Sequence, residues 1–363
     1  MPKRFYLIAA LAVSIACCAS ARAGYLDEDP DELFAAVYER LNIKLAVPAA
    51  RDPYVWLRLQ ELKREPCDQK SIDDLAVALD KLGYRREAAT GLYNFVKRCG
   101  APSTALHKAT DTFLKLSDNA MAVEVADEFI RQAPENHNAH YLRGVAFEGL
   151  GDHTRALIDY ANAIEFFGHD KKTISSIVYL RMAKSYAALG RYCEAAVPIL
   201  TWVAIDPATH DTSRTQKMIA EYEQRGNCAT SKEFQKERYP LPGHGRVVTV
   251  KAEVNGVRGT FILDTGATYL SLKSDFAERA KVPQSNMAIT LYTANGLAKG
   301  VLSTSEKVKL GKLEAANVPT VVQKTDAKSY GAGVDGLLGM SFLSRFEMQM
   351  AGGYIEVRTR RPK

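Results

Sequence analysis

The chain has 363 residues, enough for two or three domains at about 150 residues each. Hydrophobic residues make up 47% and charged residues 25%, a folded globular composition that excludes a largely disordered chain. The net charge is +6, and three of the positives, Lys3, Arg4 and Arg22, lie in the first 23 residues, so the bias is too small to imply nucleic-acid binding.

Residues 1–23 read as a secretory signal: basic Lys3 and Arg4, an apolar run from Phe5 to Ala16, and the A-x-A site Ala21-Arg22-Ala23. The run is shorter than the roughly 18 apolar residues a membrane span needs, and no later segment qualifies. An exported chain without an integral membrane span is expected. The alternative is a lipid anchor at Cys17, although Ser14 fits poorly where lipoprotein signals resemble Leu-x-Ala-Cys. Cys17 and Cys18 leave with the signal, and Cys67, Cys99, Cys193 and Cys228 remain. None sits in a C-x-x-C pair, so zinc and thioredoxin-type readings are weak, and an oxidising compartment implies two disulfides. Four unpaired buried thiols are the alternative.

Gly83, Ser117, Gly151 and Gly190 open four similar segments spaced 34, 34 and 39 residues apart. Five residues after each stands Ala88, Ala122, Ala156 or Ala195, and Pro134 and Pro207 close the second and fourth. This pattern resembles the tetratricopeptide repeat. Small residues lie where paired helices approach closely, and each pair leaves an apolar face for its neighbour. The third segment fits best, through Gly144, Phe147, Gly151, Ala156, Tyr160 and Ala163; the fourth carries five extra residues near Lys171 and Lys172. The expected organisation is a signal at 1–23, a helical cap at 24–66, repeats at 67–225, a linker at 226–243 and a β-rich domain at 244–363. The hairpin of the first repeat brings Cys67 to Cys99, and a final helix at 213–225 brings Cys228 to Cys193, the pairing favoured among three.

Beyond the linker, with Pro240, Pro242, Gly243 and Gly245, the period becomes two. Val248, Val250, Ala252 and Val254 share a strand face, and Asn255-Gly256 turns into a second strand, Val257–Leu263. Residues 24–240 carry 28 basic and 32 acidic side chains, residues 241–363 carry 17 and 10, so the two parts differ in sign.

The second strand runs into Asp264-Thr265-Gly266-Ala267, and a short helix is expected at 274–280. A second hairpin, Ile289–Ala294 and Leu297–Leu302 about Asn295-Gly296, suits a flap. Asp335-Gly336-Leu337-Leu338-Gly339 then precedes a helix expected at 340–346, and the apolar pair followed by Gly lets a strand pass behind the Asp264 loop. His137 and His140 are three apart, but no acidic or cysteine partner completes a metal site. No G-x-S-x-G elbow occurs. The Lys-rich stretch 307–312 reads as a solvated strand pair.

Phe261-Ile262-Leu263-Asp264-Thr265-Gly266-Ala267-Thr268, Thr293-Ala294-Asn295-Gly296 and Leu337-Leu338-Gly339-Met340-Ser341-Phe342-Leu343 together resemble the retropepsin-like aspartic proteases, within them the bacterial exported branch. The resemblance implies an all-β protease barrel behind the all-α repeat solenoid, in a bacterial periplasm, with a lipid-anchored or secreted form as the alternative. It implies Asp264 as the catalytic residue, Thr265, Gly266 and Ala267 as its loop, Thr293, Ala294, Asn295 and Gly296 as the flap, and Leu337, Leu338 and Gly339 as the loop's support. The Arg-rich end, Arg358-Thr359-Arg360-Arg361, departs from terminal strands that the family's dimers often use.

Carboxylate-driven peptide hydrolysis needs two carboxylates about 3 Å apart sharing a proton. Only one Asp-Thr-Gly occurs, and Asp335 better suits a turn, so a two-fold homodimer with Asp264 facing its copy is expected. No cofactor or metal is expected. The resulting expectation is an exported aspartic endopeptidase acting on a protein or peptide, with repeats for a protein partner. A scaffold whose protease-like domain only binds peptide or dimerises is the competing reading, and cleavage of its own linker a third.

Overall fold

The computed structural model describes residues 28–100, 103–168, 171–228, 234–241, 247–293, 296–323 and 330–360. The expected signal, with Cys17 and Cys18, lies outside the described residues, as do Ala294 and Asn295 of the expected flap. The chain divides into two compact units, Met1–Asp118 and Asn119–Lys363.

The first unit is helical: α1 (Pro30–Leu33), α2 (Ala35–Leu41), α3 (Val47–Ala50), α4 (Pro53–Arg64), α5 (Gln69–Lys81), α6 (Arg85–Cys99) and α7 (Ser103–Lys115). Asp52 starts α4 by accepting the Tyr54 and Val55 N–H groups, with Pro53 at the first helical position. Asp68 caps α5 through the Ser71 N–H. α5 buries Ile72, Leu75, Ala76 and Leu79, a stripe at helical spacing, against α6, which buries Ala88, Leu92, Phe95 and Val96. Cys67, ahead of α5, is disulfide-bonded to Cys99 at the end of α6.

The second unit begins with α8 (Asn119–Gln132), α9 (His137–Gly149), α10 (His153–Glu165), a 3₁₀ turn (Lys171–Thr173), α11 (Ser176–Ala188), α12 (Tyr192–Ile205), α13 (Pro207–His210) and α14 (Ser213–Gly226). Gly151 and Gly190, at φ +78° and +75°, make the sharp turns between paired helices, a backbone region costly for any residue with a Cβ. α9 and α10 approach so closely that a Cβ at Gly144 would lie 2.7 Å from the Tyr160 ring. Cys193, at the start of α12, is bonded to Cys228 beyond α14.

Ten strands follow among the described residues: β1 (Lys236–Pro240), β2 (Thr249–Val254), β3 (Val257–Leu263), β4 (Leu270–Lys273), β5 (Ala288–Thr293), β6 (Gly296–Leu310), β7 (Leu313–Gln323), β8 (Gly336–Leu338), β9 (Phe346–Ala351) and β10 (Tyr354–Thr359). The helix α15 (Ser274–Arg279) follows β4, and α16 (Met340–Leu343) follows β8, ending three residues short of the expected 346 because β9 begins at Phe346. The sheet order β2-β3-β8-β4-β7-β6 closes through a β2–β6 pairing, Val254 opposite Val308, into a six-stranded barrel with β5 on its outer edge. Phe261, Leu272, Phe276, Leu313, Leu338 and Phe342 fill its core.

Two features differ from the expected organisation. Lys236–Pro240, inside the expected linker, is the strand β1, which pairs with β10 in a three-stranded sheet β1-β10-β9. Pro240 ends it at an edge, where a missing N–H is tolerated. The later repeats and the barrel also share one apolar core: Tyr160, Ile164, Tyr179, Met182 and Tyr186 pack with Tyr269, Ile289, Leu291 and Val321. The Arg-rich end is used internally, Arg358 pairing with Glu347 at 2.9 Å and Arg360 donating to the Ser344 carbonyl at 2.7 Å.

Candidate active site

β3 leaves the barrel at Asp264, whose N–H donates to the Leu338 carbonyl of the parallel neighbour β8 at 3.1 Å. The chain then turns back on itself. The Gly266 N–H donates to Asp264 Oδ1 at 2.8 Å and the Ala267 N–H to the Asp264 carbonyl at 3.3 Å. A Cβ on Gly266 would lie 3.1 Å from that same carboxylate oxygen, so the turn favours glycine. The result is a half-buried carboxylate held by its own loop, with Thr265 and Gly266 exposed above it.

Leu337, Leu338 and Gly339 brace this loop from behind. β8 inserts between β3 and β4, and at Gly336 and Gly339 a Cβ would collide with the Ser271 and Tyr269 carbonyl oxygens respectively. The Met340 and Ser341 N–H groups donate to the Ala267 and Thr268 carbonyls at 2.8 and 2.9 Å. Ser341 Oγ accepts the Leu270 N–H and donates to the Pro319 carbonyl, at 2.8 and 2.6 Å. Ala267, Thr268 and Leu270 are therefore held by the segment 339–341, and Leu270 also by its pairing with β7.

Asp335 is committed elsewhere. Its Oδ2 accepts the Thr260 N–H at 2.8 Å and Arg279 approaches its Oδ1 at 3.4 Å. It sits beside Thr260, four residues before Asp264, about 13 Å away along the strand. His137 packs edge-on against Phe167, and His140 is bound to the Pro134 carbonyl and to Asp159. Among the described residues no group of three or more His, Cys, Asp or Glu comes together to hold a metal.

The expected flap is the β5–β6 hairpin. Thr293 pairs with Gly296, and its Oγ1 donates to the Gly296 carbonyl at 2.7 Å. Tyr292 and Leu297, a cross-strand pair, are 53% and 49% exposed and form a small apolar pair near the end of the hairpin. An open cleft of about 540 Å³ lies where the Asp264 loop meets the later repeats, lined by Thr265, Gly266 and Met340 on one side, by Glu165 and Lys171 on the other, and by Tyr292 of β5. Behind the loop, Tyr269 is wholly buried near Tyr179, Tyr186 and Glu165; burial first, then these neighbours, raises its phenol well above the ordinary range, so it stays neutral.

Residues 250–342 match the family model for aspartyl protease, and residues 108–170 match the tetratricopeptide repeat. The chain thus carries an aspartyl-protease-type domain over residues 250–342, behind a tetratricopeptide-repeat region. A curated relative from Sinorhizobium sp, "Uncharacterized protein in cobV 5'region", is 30% identical over 129 residues, 34% of this chain; the chain spans about half of it, 52%. A retropepsin-like aspartic protease from Rickettsia conorii is similar at 26% identity, over 36% of this chain and 94% of that one, with a TM-score of 0.28. MamA 41-end from Desulfovibrio magneticus RS-1 is similar at 16% identity, over 50% of this chain and 98% of that one, with a TM-score of 0.36.

Sequence reasoning about the protease domain missed three residues outside it. Asn162 Oδ1 accepts the Thr290 N–H of β5 at 3.0 Å, and Glu165 Oε2 accepts the Tyr292 N–H at 3.3 Å. Lys171 donates to Thr268 Oγ1 at 3.1 Å and to the Gly266 carbonyl at 3.3 Å. The available signals were polar residues beside Ala163, on the face that repeat helices bury, and the five extra residues near Lys171.

Proposed function

We propose that the protein is an aspartic endopeptidase whose dyad forms from Asp264 of two protomers. The observation that carries this reading is the Asp264-Thr265-Gly266 loop, a carboxylate fixed at a strand end beside an open cleft, with Asp335 occupied elsewhere. Among the described residues this loop offers half of a dyad, and a two-fold axis supplies the other half.

In such a site the two carboxylates share one proton because both cannot ionise at close range. The charged member takes a proton from water as the water oxygen attacks the peptide carbonyl. The protonated member gives its proton to the carbonyl oxygen. Collapse of the tetrahedral intermediate breaks the C–N bond, and a proton passes to the leaving nitrogen. The exposed Tyr292 and Leu297 would close over the peptide, and the repeats would present a protein partner or substrate. Export fits residues 1–23 and the two disulfides, which persist in oxidising compartments. Among the described residues no helix is long and apolar enough to cross a membrane.

The test compares wild type with Asp264→Asn on a peptide library. Cleavage falls by on the order of a thousandfold or more, with the melting temperature retained. Cleavage by pure mutant near the wild-type rate would refute the assignment. Peptide binding by both proteins with cleavage by neither would establish the scaffold reading instead.

A further inference from the structure

We propose that α10 and the segment after it are working parts of the protease site, Asn162 and Glu165 fixing the flap strand and Lys171 the Asp264 loop. This rests on the peptidase reading above and adds positioning residues from the repeats to it.

β5 is the outer strand of the sheet, paired with β6 on one side only. Its other edge would present unpaired N–H groups, a standing liability for an edge strand. Those of Thr290 and Tyr292, two residues apart on that edge, are taken by Asn162 and Glu165, one helical turn apart on α10. Both acceptors are 7% exposed, so each would be costly to bury without a donor, and here the donors belong to the flap. Ile289 and Leu291, buried at 3% and 6%, alternate with Thr290 and share a core with Tyr160 and Ile164. The flap strand therefore has a polar and an apolar attachment to the same helix.

The floor is tied by the same stretch of chain. The fourth repeat opens 39 residues after the third instead of 34, and the extra length holds the turn Lys171–Thr173. From there Lys171 reaches the carbonyl of Gly266 and the hydroxyl of Thr268, either side of Ala267. One end of α10 thus holds the roof of the cleft, and six residues later the chain holds its floor. Flap root and catalytic loop are fixed against one body, as a site that must place substrate to within a fraction of an ångström requires. Removing a roof tie weakens substrate capture, whereas removing the floor tie misplaces the carboxylate.

Full-length wild type is compared with Asn162→Leu/Glu165→Met, which lacks both acceptors, and with Asn162→Asp/Glu165→Gln, which keeps them. Amide exchange at Thr290 and Tyr292 and steady-state peptide cleavage are followed together. The acceptor-free variant exchanges about tenfold faster at both amides and raises KM about tenfold with a smaller change in kcat, and the acceptor-keeping variant recovers most of both. Lys171→Met lowers kcat about tenfold at nearly constant KM, and Lys171→Arg restores most of it. Unchanged exchange in the acceptor-free variant, or faster exchange with unchanged KM, would overturn the proposal. If wild type cleaves nothing while Asp264→Asn folds normally, the peptidase reading fails, and the exchange rates still decide whether α10 holds the flap.

Discussion

The second helices of the first and third repeats, α6 and α10, occupy the same place in a 34-residue pattern but carry different loads. At position 94 of α6 an asparagine is half-buried and donates back to the Thr90 carbonyl of its own helix at 2.9 Å. Sixty-eight residues on, Asn162 of α10 is buried and accepts from the strand β5. Lys97 is exposed and lies over the Tyr93 ring, whereas its counterpart Glu165 is buried against Tyr292. In the preceding helices, Asp80 pairs with Arg85 at 59% exposure, while Glu148 is 7% exposed and takes bonds from Tyr160, Arg181 and Lys184. Asn162 and Glu165 thus commit buried acceptors to a strand outside their own repeat, whereas Asp159, also buried on α10, stays paired with Arg143 and His140 of the same repeat.

The largest effect expected from this contrast is covalent. α6 ends in Cys99, tied to Cys67 across 32 residues, whereas α10 contains no cysteine. Cys67→Ser/Cys99→Ser should cost the first repeat about 3–4 kcal/mol by the chain-entropy model, read as faster amide exchange in α5 and α6. Unchanged exchange there would mean the packing alone holds that hairpin.

Glu148 comes next. Burial alone would raise its carboxyl, but hydrogen bonds from Lys184, Tyr160 and Arg181 outweigh burial and hold it below the usual carboxylate range. A depressed folded pKa stabilises the fold above the unfolded pKa, and the gain is lost as pH falls through the folded value. Glu148→Gln should therefore cost about 2 kcal/mol at neutral pH, and the gap to wild type should narrow below about pH 4 in thermal melts. The exposed counterpart, Asp80→Asn, should change stability by less than about 0.5 kcal/mol.

The flap ties give smaller differences. Glu165→Met should cost about 1–2 kcal/mol, since it orphans a strand N–H, and Lys97→Met about 0.5 kcal/mol or less. Asn162→Leu should cost about 1 kcal/mol more than Asn94→Leu, by denaturant midpoints at constant slope. Equal costs within either pair would erase the distinction between the two helices.

Local chemistry made much of this legible in the sequence. Asn255-Gly256 turns at φ +49° and +84°, as a two-residue hairpin with both centres left-handed demands, and β3 spans the expected Val257–Leu263. The Lys-rich stretch became the β6–β7 hairpin, where Lys307 and Lys309 both pair with Glu314. The Asp264 loop was legible because its glycines and apolar pair are dictated by close backbone passage. Contacts made at long range were not. Nothing periodic marks Lys236–Pro240, inside the expected linker, as the partner of β10. The joint between α10 and β5 was hidden because Asn162 also suits an ordinary repeat position, as Asn94 shows.

Mixing subunits tests the central claim most directly. With wild type held constant and Asp264→Ala added in ninefold excess, random pairing leaves about a tenth of wild-type chains with a wild-type partner. A dyad shared between protomers predicts that peptide cleavage falls about tenfold once the subunits have exchanged, and falls again on dilution. Cleavage that stays constant through both, while the mixed dimers are shown to form, would place the whole active site in one chain and contradict the account.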